Sequence, residues 1–309
     1  MRIVVGIDGS DESLVARELV ADPRWPRPLE AVLVGAYERP LDWSGAVPLS
    51  LAVEDEAAVQ RDLAATLDDA AEPLRAAGAA VSVIVRAGRP ADVLMDVAKE
   101  VAADLLVVGN RGRGPARSAL LGSVSADLVD HAPCPVLVAR GPRVERLLFA
   151  TDGSETAAQA ARILCTWGAF HDAPIDILTV LPLAKHATGD FITAWAMEQR
   201  TPLRAPDPTS DGAVHAQQTA ARFIAEGWHA QPVVRRGDPA TEIAAVALEL
   251  GSDVIVTGSR GLGAIRRLLT GSVAHDVLLH ARVSVLVMRG VVHESVRVRN
   301  PALAVGGLA

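Results

Sequence analysis

The sequence predicts an α/β protein made of two tandem open parallel five-stranded sheets flanked by helices. Three observations point there. The chain has 309 residues, enough for about two domains of common size. Its halves resemble each other segment by segment. Within each half, short runs of Val, Ile and Leu alternate with helical segments, the pattern of a buried parallel sheet with helices on both faces. Aromatic residues are only 3% of the chain, so the core must consist mainly of Ala, Val, Leu and Ile.

The internal repeat is explicit. Ile3–Ser10 matches Leu147–Ser154, and Arg86–Ala91 matches Arg235–Ala240. Asp104–Gly109 matches Asp253–Gly258, and Pro135–Arg140 matches Ser284–Arg289. The offset grows from 144 at the first strand to 149 at the later ones, so the second half carries about five extra residues before its third strand. In the first half, strands are expected near 2–8, 31–37, 80–86, 104–109 and 135–140, with helices near 11–21, 51–77, 90–102 and 122–132. In the second, strands are expected near 146–152, 174–181, 231–236, 253–258 and 283–289, with helices near 155–170, 211–227, 239–250 and 271–281. Gly141-Pro142 marks the boundary, giving domains 1–141 and 142–290 and a tail 291–309.

Three segments depart from the repeat. Pro23, Pro26 and Pro28 end the first helix, because proline lacks an amide hydrogen and its ring clashes with the preceding turn. Residues 184–210, with Pro202, Pro206 and Pro208, read as a long loop, a lid or a disordered surface. In the tail, Val291–Arg299 has the pattern of a further strand, and the last ten residues that of a frayed end.

Composition narrows the function classes. The net charge is −7, with 15 basic and 21 acidic residues over 1–143 and 15 and 16 over the rest. No large basic stretch offers a surface for nucleic acid or anionic lipid. No apolar run is long enough to span a bilayer, and Met1-Arg2-Ile3 leads directly into a strand without a signal-peptide pattern. Cys134 and Cys165 lie at non-equivalent positions, neither a disulfide framework nor a zinc site. A reducing cytoplasm is the expected location.

The chemistry concentrates in one motif that occurs twice. Gly109-Asn-Arg-Gly112 is followed after nine residues by Gly122-Ser123, and Gly258-Ser-Arg-Gly261 after nine residues by Gly271-Ser272. Each copy follows a strand ending at Val108 or Thr257, where open parallel sheets bind ligands. Glycine there lets backbone amides approach an anion without a Cβ in the way. Gly122-Ser123 and Gly271-Ser272 open the next helix, whose free amides and dipole favour phosphate. Ser123 and Ser272 read as helix N-caps that can also donate a hydroxyl to phosphate. Arg111, Arg117, Arg260, Arg266 and Arg267 add positive charge to the loops. The alternative is a Gly-rich turn that only starts a helix. Neither copy ends in Gly-Lys-Ser/Thr, so this is not the common P-loop, and no Gly-x-Gly-x-x-Gly follows the first strand. Asp8 and Asp152, each followed by Gly-Ser, end the first strand of each half. They read as ligand contacts, as N-caps of the following helix, or as both.

These motifs resemble those of the universal stress protein family, in its tandem, ATP-binding form. The family signature Gly-x2-Gly-x9-Gly-Ser/Thr is matched in full by both halves, and the resemblance covers about 2–140 and 146–290. The segment His131–Val138 is similar to the family's approach to its last strand. The resemblance implies a Rossmann-like sheet of the adenine nucleotide alpha hydrolase-like kind, with ATP as ligand, accompanied by Mg²⁺. It places Asp8 and Asp152 against the nucleotide, and Ala36 and Val180 on its adenine side. It places Gly109, Gly112, Gly122, Ser123 and Val124 around ribose and phosphates in the first half, and Gly258, Gly261, Gly271, Ser272 and Val273 in the second. Departures gather in the first half, where prolines interrupt the first helix, Pro115 stiffens the loop, and Ala36 offers less contact than a valine.

No catalytic constellation stands out. There is no HExxH, GxSxG or CxxC, and His131 and His280 occupy equivalent places at helix ends, where a histidine caps carbonyls. Cys134 sits between two prolines and is replaced by Val283 in the other half, which points to a structural role. The expected function is therefore ATP binding that senses or signals stress through conformation or assembly, without a dedicated reaction. A slow ATP hydrolase acting as a timer, and a non-nucleotide interaction module pairing through edge strands, are the alternatives. The two domains are expected to pair within the chain as the subunits of a homodimer would, and a further homodimer is a possible partner state.

Overall fold

The computed structural model describes residues 1–38, 49–112, 121–182, 210–259 and 272–289. The expected loop at 184–210 except Ser210, the tail 291–309, Pro115, Arg117, Arg260, Gly261, Arg266, Arg267 and Gly271 lie outside the described residues.

The first domain runs β1 (Arg2–Gly6), α1 (Asp11–Val20), β2 (Glu30–Tyr37), α2 (Leu49–Ala76), β3 (Ala80–Ala87), α3 (Pro90–Glu100), β4 (Leu105–Gly109), α4 (Ser123–His131) and β5 (Val136–Ala139). The second runs β6 (Leu147–Ala150), α5 (Glu155–Trp167), β7 (Ile175–Leu181), α6 (Asp211–Ala225), β8 (Ala230–Arg236), α7 (Pro239–Glu249), β9 (Val254–Gly258), α8 (Ser272–His280) and β10 (Ser284–Met288). The helix ends follow local chemistry. Ser10, Ser154 and Ser210 cap α1, α5 and α6 by accepting from the amides of Ser13, Ala157 and Ala213. Pro90 and Pro239 occupy the first turns of α3 and α7, where proline's missing amide hydrogen removes no helical bond. Gly168 ends α5 in the left-handed conformation, three residues short of the expected helix end.

Each domain is a five-stranded parallel sheet, and the two join into one ten-stranded sheet of order β3-β2-β1-β4-β5-β10-β9-β6-β7-β8. The join is antiparallel, with Val136 opposite Val287, Leu137 opposite Leu286 and Val138 opposite Val285. The last strands thus use up each other's edges, and β3 and β8 are the outer strands. This is the intramolecular pairing expected from the repeat.

Both faces of the sheet are covered by a core that runs through both domains. One cluster packs α1, α2, α5 and α6 residues, such as Leu19, Leu74, Leu164 and Phe223, on Leu33, Leu105 and Phe149 of the strands. The other packs α3, α4, α7 and α8 residues, such as Val97, Leu128, Val246 and Leu278, on Val4, Leu106, Leu148 and Ile255. Trp25 and Phe170 meet edge to face across the domain boundary with ring centroids 4.9 Å apart. Among the described residues no helix is long and apolar enough to cross a membrane.

Two arginines lock the join from either side. Arg140, just after β5, donates to the carbonyls of Leu278 at 2.5 Å and Val283 at 3.0 Å. Its repeat partner Arg289, just after β10, donates to Val129, to Asp130 at 2.5 Å and to Ala132 at 3.3 Å. Each guanidinium therefore caps the last helix of the other domain, where unpaired carbonyls and the negative dipole end favour a cation.

Candidate functional site

Parallel pairing brings the C-terminal ends of β1, β2 and β4 to one edge of the first sheet, with Gly6 beside Val34 and Val5 beside Val107. Asp8 follows β1 there, and Gly109 ends β4. Asp8 Oδ1 accepts from the Ser10 amide at 3.0 Å and from the Ser10 hydroxyl at 2.5 Å. Ser10, not Asp8, caps α1. The same correction holds for Asp152, which accepts from the Ser154 amide at 3.0 Å while Ser154 caps α5. The aspartate stands one turn ahead of the helix, where it shapes the strand-end turn and presents carboxylate at the sheet edge.

The loop glycines are required by close approach. A Cβ on Gly112 would lie 2.5 Å from Asp8 Oδ2, so the carboxylate rests against the bare α carbon. A Cβ on Gly109 would lie 2.6 Å from the backbone carbon and oxygen of Glu12, in the first turn of α1. The sequence pairs Gly109 and Gly112 as a phosphate loop; the structure shows that they also let β1, β4 and α1 converge.

The start of α4 differs from expectation. Gly122 is the N-cap, with extended backbone, and Ser123 is the first helical residue; no side chain caps the helix. The Gly122 amide donates to the Asn110 carbonyl at 2.9 Å, which turns the chain one residue earlier than a serine cap would. Ser123 is consequently exposed, with its hydroxyl off the capping position. Ser272 is likewise the first residue of α8 and exposed, and Gly271 before it lies outside the described residues. Val124 and Val273 pack partly buried against the core, so they hold the helix start to the sheet. Ala36 and Val180 lie near the ends of β2 and β7, opposite Arg86 and Arg235, and pack against the same core face. Gly258 ends β9, and Gly261 is outside the described residues.

Three features escaped the sequence reading. Ser125 is buried and donates to the Gly109 carbonyl at 2.8 Å, tying α4 to the loop; no motif flagged it, and its repeat partner is Ala274. His215 of α6 lies against the α carbon of Gly153, over the second domain's strand-end turn. The Arg140/Arg289 locks had a signal, an arginine after the last strand of both halves, but no reading of its role. His131 and His280 do sit with Nδ1 at 3.1 Å and 2.7 Å from the carbonyls four residues earlier, the geometry of a donated bond at a helix end. Burial pushes the Cys134 thiol up to about 12 and that of Cys165 up to about 11, so neither is a ready nucleophile. Among the described residues no three His, Cys, Asp or Glu side chains converge as a metal cage.

A strand-end aspartate against a loop glycine, followed by a glycine-initiated helix, stands in the first domain, and the second repeats its sequence motif and its strand-end aspartate in the same α/β sheet. That defines a tandem protein of the Rossmann-like class. The sequence model of the universal stress protein family matches residues 1–140 and again 143–289, and the chain belongs to that family. It is 30% identical over 312 residues to a universal stress protein of Mycobacterium tuberculosis, spanning 93% of this chain and 96% of that one. Over 144 residues it is 34% identical to a universal stress protein of Thermus aquaticus, spanning 45% of this chain and 97% of that one. The solved universal stress protein from Archaeoglobus fulgidus superposes with a TM-score of 0.64 over 93% of this chain and 98% of that chain; at 20% identity this is a likeness of fold.

Proposed function

We propose that this protein binds ATP at the strand-end site of each domain and signals stress through nucleotide-dependent conformation or assembly, without a dedicated catalytic reaction. The observation that carries the reading is the contact between Asp8 and Gly112. It sets a carboxylate against the loop that leads to the helix N-terminus at Gly122. The residues fit the ligand: Asp8 and Asp152 would accept from the nucleoside, and the amides at the starts of α4 and α8 would face phosphates. Ala36 and Val180 supply apolar contact for the base. Mg²⁺ would arrive with the triphosphate, whose charge it offsets. Bound nucleotide would hold β1, β4 and α4 together and so favour one arrangement of the loops over others.

The absence of catalysis in this reading rests on the loop sequences. Neither 109–123 nor 258–272 contains a lysine to stabilise charge on the outer phosphates. The test is the nucleotide content of the purified full chain, released by denaturation, identified by mass and counted per chain, before and after ATP loading. Two ATP per chain are expected, one lost with Gly112→Val and the other with Gly261→Val. One ATP, lost only with Gly261→Val, would make the first site structural. None from any form would overturn ATP binding. Steady turnover abolished by Asp152→Asn would replace the binding reading with a hydrolase.

A further inference from the structure

Where the two domains meet, a cavity of about 490 Å³ opens beside the Asn110–Arg111 segment. The first domain contributes Glu12, Asn110, Arg111 and Arg140 to its wall, and the second contributes His280 and Arg282. Three arginines and one carboxylate residue thus line the same cavity. Among the described residues none of the three forms an ion pair. Arg140 is held by main-chain carbonyls, which carry no formal charge to balance it. Burial, with the positive charge of Arg111 nearby, pushes its pKa down to about 10. It remains a cation at neutral pH, held by carbonyl dipoles but without a counter-charge.

Two polar atoms sharpen the picture. Arg111 Nε and Asn110 Oδ1 are buried and, among the described residues, have no hydrogen-bond partner. A buried guanidinium N–H without an acceptor is expensive, and native structures leave few such groups. An amide side chain satisfies an anion by turning its NH₂ end toward it. A missing acceptor beside uncompensated arginines is the signature of an anion site. Guanidiniums match phosphate oxygens in charge and in fork geometry. The volume exceeds that of a bare ion and lies in the range of small-ligand pockets.

We propose that this junction cavity is a second anion site, which takes a phosphate dianion either free or as the monoester of a small metabolite. The site is distinct from the strand-end nucleotide site. Its wall comes from α1, the Asn110–Arg111 segment, the end of β5 and the α8–β10 turn; it shares that one segment with the nucleotide loop, whereas the rest of the nucleotide site uses Asp8, Ala36 and the start of α4. It does not depend on ATP binding. Its consequence is a link between domains: Arg111 belongs to the Gly109–Gly112 loop, and Arg140 and Arg282 belong to the join.

The test is calorimetric titration of the full chain with inorganic phosphate and, separately, with glycerol 3-phosphate. Saturable binding of at least one, at one site per chain, is expected. Arg282→Gln and Arg111→Gln should each weaken it about tenfold or more. Arg282 is exposed and belongs to the second domain, so Arg282→Gln spares both the first domain's nucleotide loop and the thermal midpoint. If Arg111→Gln lowers the midpoint, Arg282→Gln alone decides. Binding of phosphate alone assigns the free anion, and binding of the ester alone assigns a metabolite; either supports the site if Arg282→Gln weakens it. Undiminished binding to Arg282→Gln would place the anion in the nucleotide loop and overturn the proposal. No saturable binding of either titrant would overturn it as well.

Discussion

The two strand-end turns are built from the same motif and held in different ways. In the first domain the Ser10 hydroxyl donates to Asp8, and Ser125 ties α4 to the Gly109 carbonyl. In the second, the Ser154 hydroxyl pairs with Thr156 at 2.9 Å, and Ala274 stands where Ser125 would. His215 covers the second turn at Gly153, with Thr66 at the corresponding place of α2. Both turns carry bonds inside the loop; the first adds the tie from Ser125 of α4, and the second adds packing from His215 of α6. A duplicated sequence can keep a ligand motif intact while each copy solves its own packing.

The largest expected effect concerns the convergence at Gly109. A Cβ there would drive into the Glu12 backbone, which has no rotamer to relieve it. Gly109→Val should lower the stability of the chain by about 3 kcal/mol, read as a reduced urea midpoint with little change in slope. An unchanged midpoint would mean that α1 shifts freely, and that its first turn does not position the loop.

A second contrast sits between strand and helix. Gly35 of β2 packs under Leu63 and Leu67, and an added Cβ would lie 2.8 Å and 2.6 Å from them. In the second domain the sizes are exchanged: Thr179 occupies the strand position, and Gly212 the helix position, with an added Cβ there 3.3 Å from Thr179. Gly35→Thr alone should cost about 2 kcal/mol through overpacking. Combined with Leu63→Gly, the two should couple favourably by about 1 kcal/mol in a double-mutant cycle. Strict additivity would show that the exchange is incidental.

Removing the Ser125 bond should cost about 1 kcal/mol, because Ser125→Ala deletes one buried hydrogen bond while leaving the packing nearly intact. Ala274→Ser in the second domain should not return that amount unless its hydroxyl finds the Gly258 carbonyl. Measured together, the pair shows whether the tether belongs to the fold or only to the first loop. Equal and opposite changes would place it in the fold.

How far the sequence disclosed this architecture depends on the kind of interaction. The parallel sheet of each domain follows from alternation of apolar runs and helices, and the pairing of the domains from last strands with bare edges; the strand order and the antiparallel sense of the join do not. Gly109, Gly112 and Asp8 were legible because a fixed spacing recurs at the same strand ends. The cap of α4 was not, because Gly-Ser is compatible with either residue as N-cap; only the long-range bond from the Gly122 amide to Asn110 selects glycine. Ser125, His215 and the arginine locks depend on distances between segments far apart in sequence, which neither periodicity nor composition encodes. The exchange of Gly35 and Leu63 for Thr179 and Gly212 is visible in an alignment of the halves, but only as two unrelated differences.

The smallest effect tests the entrances to α3 and α7. Asp238 caps α7, accepting from the Thr241 amide at 3.0 Å and its hydroxyl at 2.8 Å, whereas Arg89 begins α3 without a side-chain cap. Those bonds, the amide's first, hold the Asp238 carboxyl below its ordinary range. A depressed folded pKa means that the unfolded chain binds the proton more readily. The stabilisation is thus present above the unfolded carboxylate range and is lost as pH falls through the folded value. Asp238→Ala should cost about 1 kcal/mol at neutral pH and progressively less in acid. Arg89→Asn gains an acceptor but gives up an exposed ion pair with Asp127, so stability should stay within about 0.5 kcal/mol. A loss from Asp238→Ala that persisted unchanged in acid would assign the effect to the hydroxyl and backbone geometry of the turn rather than to the charged carboxylate.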